Sequence, residues 1–106
     1  MPNYLLSYHG GSMPETEEAG AAVMAAWGTW MAAVGDAMVD LGNPVGHTVT
    51  VTSDGSASDG GGANPVTGYS VIKADNLDAA LALVAGCPIL ASYGGSVEVG
   101  ETFDAM

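Results

Sequence analysis

Hydrophobic and polar residues alternate with a period of two in four short segments of the chain. Residues 3–9 carry aromatic and aliphatic side chains at alternate positions and stop at a pair of glycines, which predicts a first strand. Residues 45–52 alternate valine with threonine and predict a second strand. Residues 67–74 and 95–103 follow the same pattern and predict the third and fourth strands.

Two further segments carry the apolar spacing of helices. The first begins at a capping box, with Ser12 as the cap and Glu15 three residues later, and is predicted to run to about Leu41. Its apolar side chains recur at steps of three and four and predict one core-facing stripe: Val23, Trp27, Trp30, Val34, Met38 and Leu41. A second helix is predicted from Asn76, or the aspartate before it, to Gly86.

The resulting order is strand, helix, strand, strand, helix, strand. It predicts an α+β, ferredoxin-like βαββαβ fold, a single domain over residues 1–106 with a four-stranded antiparallel sheet and both helices on one face. Strands two and three are expected to pair, joined by a mobile, turn-rich connection at 53–65.

The sheet face without helices is expected to be mixed in polarity. Its predicted rows are Thr48/Thr50/Thr52, Leu5/Ser7/His9 and Ser96/Glu98. Because a solvent-facing sheet is usually more uniformly charged, we expect a second subunit to cover this face.

Charge and composition exclude several classes of partner. The 106 residues include 12 acidic side chains and one basic side chain, Lys73, for a formal net charge of −11. Such a chain cannot assemble a basic patch, so neither nucleic acid nor an anionic membrane is an expected partner. With 48% hydrophobic residues, the chain is too apolar to be a disordered acidic tail. A cytoplasmic location is expected, because the sequence has no apolar run of transmembrane length and no signal peptide. Cys87 stands alone and is expected to be a small buried side chain.

The C-terminal half resembles a known family. The residues at 68–80 (GYSVIKADNLDAA), 86–88 (GCP) and 94–99 (GGSVEV) resemble YCII-related proteins of the DGPF-domain type, as do the first strand and the tryptophan-containing helix that ends at 35–44 (GDAMVDLGNP). The resemblance spans nearly the whole chain. It implies a dimeric α+β barrel of ferredoxin-like subunits and no settled activity.

Two departures from that family bear on function. The Asp-Gly-Pro-Phe signature is replaced here by Asp-Gly-Gly-Gly at 59–62. Some relatives carry a helical histidine that is proposed to act with an aspartate, whereas residues 15–41 of this chain contain no histidine. That catalytic pair is therefore not transferred to this chain.

Candidate acid–base groups are few. Only His9 and His47 titrate near neutral pH, so imidazole chemistry would use one of them. His9 ends the first strand and is either a site residue or a solvated strand end, while His47 is either a ligand-binding residue or a histidine at the edge of the core. Asp36, near the predicted helix C-terminus where a carboxylate is disfavoured, is a candidate base or a solvated residue. No metal-ligand spacing and no nucleotide-binding motif is present, so no metal or cofactor is predicted.

Aromatic side chains suggest a ligand. Trp27 and Trp30 share a helix face and are predicted either to pack in the core or to line a cavity, and Tyr69 either fills the sheet or offers a phenol to that cavity. The leading hypothesis is a homodimer that binds a small apolar or aromatic compound, with enzymatic activity left open. The alternative is a non-catalytic protein–protein interaction or regulatory module.

Overall fold

The computed structural model describes residues 1–11, 15–91 and 94–104. The described residues form an α+β fold, as predicted. Its strands and α-helices, in chain order, are β1 (Asn3–His9), α1 (Glu17–Val34), β2 (Met38–Asp40), β3 (Val49–Val51), β4 (Ala57–Asp59), β5 (Val66–Lys73), α2 (Leu77–Val84) and β6 (Ser96–Thr102). Short 3₁₀ turns follow α1 at Gly35–Ala37 and α2 at Pro88–Ala91. Neither α-helix in the described ranges is long and apolar enough to cross a membrane.

Four strands form the main sheet, in the spatial order β2–β5–β1–β6, and each neighbouring pair is antiparallel. The predicted first strand is confirmed at Asn3–His9, the third at Val66–Lys73 and the fourth at Ser96–Thr102. The central strand β1 therefore pairs with β5 on one side and β6 on the other.

The core lies between this sheet and the helices. Alternate residues of β1 and β5 point into it and meet residues from both helices. The buried apolar residues are Tyr4, Leu6, Tyr8, Trp30, Val34, Ile72, Ala74, Ala80, Val84, Cys87 and Ile89. Burial of Cys87 agrees with its expected role as a small apolar side chain.

Helix α1 is shorter than predicted at its C-terminal end. Its cap is Thr16, whose Oγ1 accepts a hydrogen bond from the Ala19 amide at 3.0 Å, while the predicted cap Ser12 lies outside the described residues. The helix ends at Val34 because Gly35 adopts φ +59°. The prediction of helix as far as Leu41 is wrong, since Met38–Asp40 forms β2 and pairs with β5.

The second predicted strand is also placed incorrectly. Of residues 45–52, only Val49–Val51 form a strand, and it pairs with β4 in a separate two-stranded sheet. The predicted third strand, which is β5, pairs with β2 instead of with the predicted second strand. The segment 53–65 was expected to be a mobile connection, but it contains β4. We call residues 47–60, which contain β3 and β4, the hairpin arm.

The turn of the hairpin arm is built on one carboxylate. Asp54 Oδ1 accepts hydrogen bonds from Ser56 Oγ (2.7 Å), Thr52 Oγ1 (2.6 Å) and the Ser56 amide (2.9 Å). These hydrogen bonds lower the pKa of Asp54 to about 2, and the bond from the Ser56 hydroxyl has the largest effect.

This carboxylate gives the hairpin arm a defined pH dependence. Because the pKa is lower in the folded state, the stabilisation is present above the unfolded pKa of about 3.9 and is lost as the pH falls through about 2. An NMR titration should therefore give Asp54 a midpoint near 2, with the arm's amide protection decreasing in that window. Asp54→Asn keeps an acceptor and removes the charge, so it should abolish this pH dependence; a midpoint for Asp54 near the unfolded value would contradict the prediction.

Candidate functional site

A cavity of about 530 Å³ lies between α1 and the helix-covered face of the sheet. Trp27, Met24 and Met31 of α1 contribute to one wall, and the segment 41–44 contributes to another. Tyr8, Gly68 and Ser70 of the two central strands line its floor. A Cβ at Gly68 would lie 3.2 Å from Cδ2 of the Tyr8 ring, so a larger residue there would require this ring to shift by a few tenths of an ångström. A volume of this size is typical of small-molecule sites.

Two hydroxyl groups on the cavity floor form a directed hydrogen-bond chain. Tyr8 donates to Ser70 Oγ at 2.8 Å, and Ser70 donates to the Leu41 carbonyl oxygen at 2.7 Å. Burial raises the pKa of Tyr8 to about 12, so the phenol keeps its proton at any physiological pH. Since both O–H donors are already used, these oxygens offer only acceptor lone pairs to a ligand.

The two tryptophans form an edge-to-face aromatic cluster with Tyr8. The centroid of the Trp27 ring lies 5.3 Å from the centroid of the Tyr8 ring, with an interplanar angle of 75°. It lies 5.7 Å from the centroid of the Trp30 ring, with an interplanar angle of 84°. Trp30 is buried and donates its Nε1–H to the Leu83 carbonyl oxygen at 2.9 Å. Trp27 is half-buried and lines the cavity, so the expected core role applies to Trp30 and the expected cavity role to Trp27.

A second, shallower groove of about 700 Å³ lies on the other side of the tryptophan pair. It is lined by both tryptophans, by small residues of α1 and by residues 86–91 after α2. Neither the groove nor the cavity is lined by a histidine or a carboxylate among the described residues. Both spaces therefore suit binding of apolar surface better than acid–base chemistry.

His9 lies on the opposite face of the sheet from the cavity floor, because it alternates with Tyr8 along β1. Its ring is buried, with Nδ1 2.9 Å from the Asn64 carbonyl oxygen and Nε2 3.4 Å from Glu98 Oε1. The register of β1 against β5 shifts between Tyr8 and His9. His9 is thus a packed residue at a strand irregularity rather than a solvated strand end.

The other predicted site residues do not converge on one place. His47 is exposed at the base of the hairpin arm, where its Nε2 lies 2.6 Å from Asp59 Oδ1. Asp36 is exposed in the 3₁₀ turn after α1 and lines neither the cavity nor the groove. Tyr69 is half-buried and borders the cavity beside Gly68, but it pairs with Ser7, so its side chain lies on the opposite face of the sheet, with His9. Of the predicted set, the structure brings together Trp27 and Trp30.

Sequence reasoning missed Tyr8, Ser70 and Glu98. Tyr8 and Ser70 both occupy core-facing positions of their strands. The alternation of each strand therefore indicated that the two hydroxyl groups lie on the same face of the sheet. The contact between Glu98 and His9 depends on the register of β6 against β1, which no local pattern encodes. No group of three or more His, Cys, Asp or Glu side chains in the described ranges is placed to hold a metal ion.

The chain matches no family model, and no curated protein matches it.

Proposed function

We propose that this chain is a YCII-related, ferredoxin-like subunit that forms a homodimer and binds a small apolar or aromatic molecule in the cavity beside Trp27. The order β2–β5–β1–β6, with every neighbouring pair antiparallel and both helices on one face, supports the ferredoxin-like assignment. In this view the hairpin arm is an insertion between the second and third strands of that fold. The observation that carries the ligand proposal is the cavity with its apolar walls and paired hydroxyls.

Excess surface supports the homodimer. The chain measures 43 × 42 × 18 Å and exposes 7037 Å², whereas a compact monomer of its 10.5 kDa mass exposes about 5,400 Å². The excess of roughly 1,600 Å² includes the exposed strands of the hairpin arm, and its size is comparable with the area that each subunit of an obligate dimer buries. The sheet face opposite the helices is partly apolar, with Leu5 39% and Val39 50% exposed. A second copy seated there would cover it.

A charge placed on that face should separate the subunits. Leu5→Glu is expected to convert a dimer into a monomer in sedimentation equilibrium at micromolar concentration, because it would bury an unpaired carboxylate between two sheets. Leu81→Glu on α2 is the matched control, since Leu81 is 45% exposed on the helical side, and it should remain a dimer. A wild-type chain that sediments as a monomer would refute the dimer.

The cavity floor selects for a ligand that donates a hydrogen bond. The Tyr8 and Ser70 oxygens have acceptor capacity only, and the walls are largely aromatic, aliphatic and thioether surface. A planar aromatic compound with one O–H or N–H group satisfies both features. We therefore expect 2-naphthol to bind several-fold more tightly than naphthalene, because one neutral hydrogen bond contributes about 1 kcal/mol.

Trp27→Ala should weaken 2-naphthol binding about tenfold or more, as followed by thermal shift and calorimetry. The indole is a large part of the cavity wall, and a tenfold change needs only about 1.4 kcal/mol. Val51→Ala, which truncates an exposed side chain of the hairpin arm, should bind as the wild type does. Equal binding by both variants would place the ligand elsewhere.

Acid–base catalysis would need side chains from outside the cavity lining. The cavity lining contains no acid–base side chain in the described ranges, so an enzyme would have to use His9 or Asp36, neither of which lines it. Both residues remain predictions as proton-transfer groups. The alternative function, a protein-interaction module, is favoured by the hairpin arm, whose Val49 and Val51 are exposed. If a broad panel of aromatic and aliphatic compounds gives no stabilisation, that alternative is preferred.

A further inference from the structure

The backbone sets the orientation of the His9 ring. Nδ1 lies 2.9 Å from the Asn64 carbonyl oxygen and 3.3 Å from that of Pro65. Both neighbours accept hydrogen bonds and cannot donate, so Nδ1 carries the proton. In the neutral form of the ring, Nε2 therefore presents a lone pair.

Nε2 faces a second acceptor. Its nearest charged neighbour is Glu98 Oε1 at 3.4 Å, and it makes no hydrogen bond within the described part of the chain although its solvent exposure is negligible. A nitrogen lone pair and a carboxylate oxygen repel each other unless a donor or a cation lies between them. This buried nitrogen is thus an unfilled acceptor beside a negative charge.

The chain has no basic side chain of its own for this place. Lys73 is its single basic side chain, and it pairs with Asn3, at the opposite end of β1 from His9. The partner of Nε2 is therefore either a second proton on the ring, which would pair with Glu98 directly, or a donor from outside the chain. A net charge of −11 also attracts small cations from solution.

We propose that His9 Nε2 and the Glu98 carboxylate form a binding site for the primary ammonium group of a small molecule. An ammonium group has three N–H donors, and the strand register adds a third acceptor: Ser7 lies directly opposite Glu98 and shares a face with His9. The site thus combines one negative charge, one imidazole nitrogen and one hydroxyl.

Access to this site depends on Glu98. Its side chain is 79% exposed, so it can rotate outward to admit the ammonium group and return to bind it. The site lies on the sheet face that a second copy is proposed to cover, where the dimer would enclose it. It is on the other side of the sheet from the aromatic cavity, so amine binding and 2-naphthol binding can fail independently.

Calorimetry with n-propylammonium chloride at about pH 8 tests the proposal, because the amine is then charged. Glu98→Gln should weaken binding about tenfold or more, since a charge-assisted hydrogen bond is lost. The matched control is Glu101→Gln, which removes the same charge from the same strand and should change affinity less than about twofold. Neutral n-propanol should not bind.

A nitrogen NMR spectrum of the His9 side chain adds a readout that does not require a variant. Addition of n-propylammonium should shift Nε2 while Nδ1 remains an N–H. Four results would overturn the proposal: equal loss in the two glutamine variants, equal binding of n-propanol, binding of zinc chloride without binding of the amine, or an Nε2 that already carries a proton at about pH 8 without amine.

Discussion

Truncation of Trp30 to alanine is expected to destabilise the fold by about 3–5 kcal/mol, enough to unfold a small domain. Trp30 is 5% exposed, packs edge-to-face on Trp27 and donates its Nε1–H to the Leu83 carbonyl oxygen. It thus connects α1 to α2 through both apolar contact and a hydrogen bond. Urea denaturation followed by far-ultraviolet circular dichroism measures the loss.

Two companion variants separate these contributions. Trp30→Phe retains most of the buried ring surface but leaves the Leu83 carbonyl oxygen without its donor, so it should cost about 1–3 kcal/mol. Met24→Ala on the same helix removes a side chain that is 74% exposed, and should change stability by less than about 0.5 kcal/mol. A Trp30→Ala protein as stable as Met24→Ala would contradict the packing described for α1.

Gly42→Ala should be far more damaging than alanine at Gly55 or Gly28, with a loss of at least about 3 kcal/mol. Gly42 adopts φ +72°, and a Cβ on it would lie 1.7 Å from the Tyr69 carbonyl oxygen. The substitution therefore adds backbone strain and also forces the segment after β2 away from β5. Equilibrium unfolding in urea gives the free-energy change.

The other two glycines serve as controls in the same experiment. Gly55 has φ +87°, and a Cβ added to it would meet nothing within 4 Å, so Gly55→Ala should cost only the strain of about 1–2 kcal/mol. Gly28, inside α1, also has open space and ordinary helical φ, so Gly28→Ala should stabilise by about 0.5–1 kcal/mol. If all three alanine variants lose similar stability, steric contact at Gly42 is not the cause.

Much of the fold could be predicted where local pattern and tertiary role agree. The strand at Asn3–His9 alternates because one face is buried against the helices, and Asn76 caps α2 through its side chain, which accepts from the Ala79 amide. The end of α1 could not be placed correctly, because Met38 fits both a helical stripe and an inward-facing strand position. A positive φ at Gly35 decided between them.

The second strand shows a different limit. Residues 49–51 do form a strand, but alternation alone does not specify a partner. Asp54-Gly55 carries a hairpin signal that would have indicated the local partner β4.

For the sites, side-chain types suggested Trp27, Trp30 and Tyr69, whereas the His9 contact with Glu98 arises from the register of two strands at opposite ends of the chain. Such long-range pairing has no local signature.

The hairpin arm hydrogen-bonds chiefly within itself, including Gly60 N–H to the Thr48 carbonyl oxygen at 2.8 Å. Its residues are absent from the hydrophobic core. Its length and composition can therefore change without altering the packing beneath α1 and α2. A peptide epitope or a reporter sequence inserted at Gly55 should be tolerated, which makes this arm a natural position for grafting new recognition onto an unchanged scaffold.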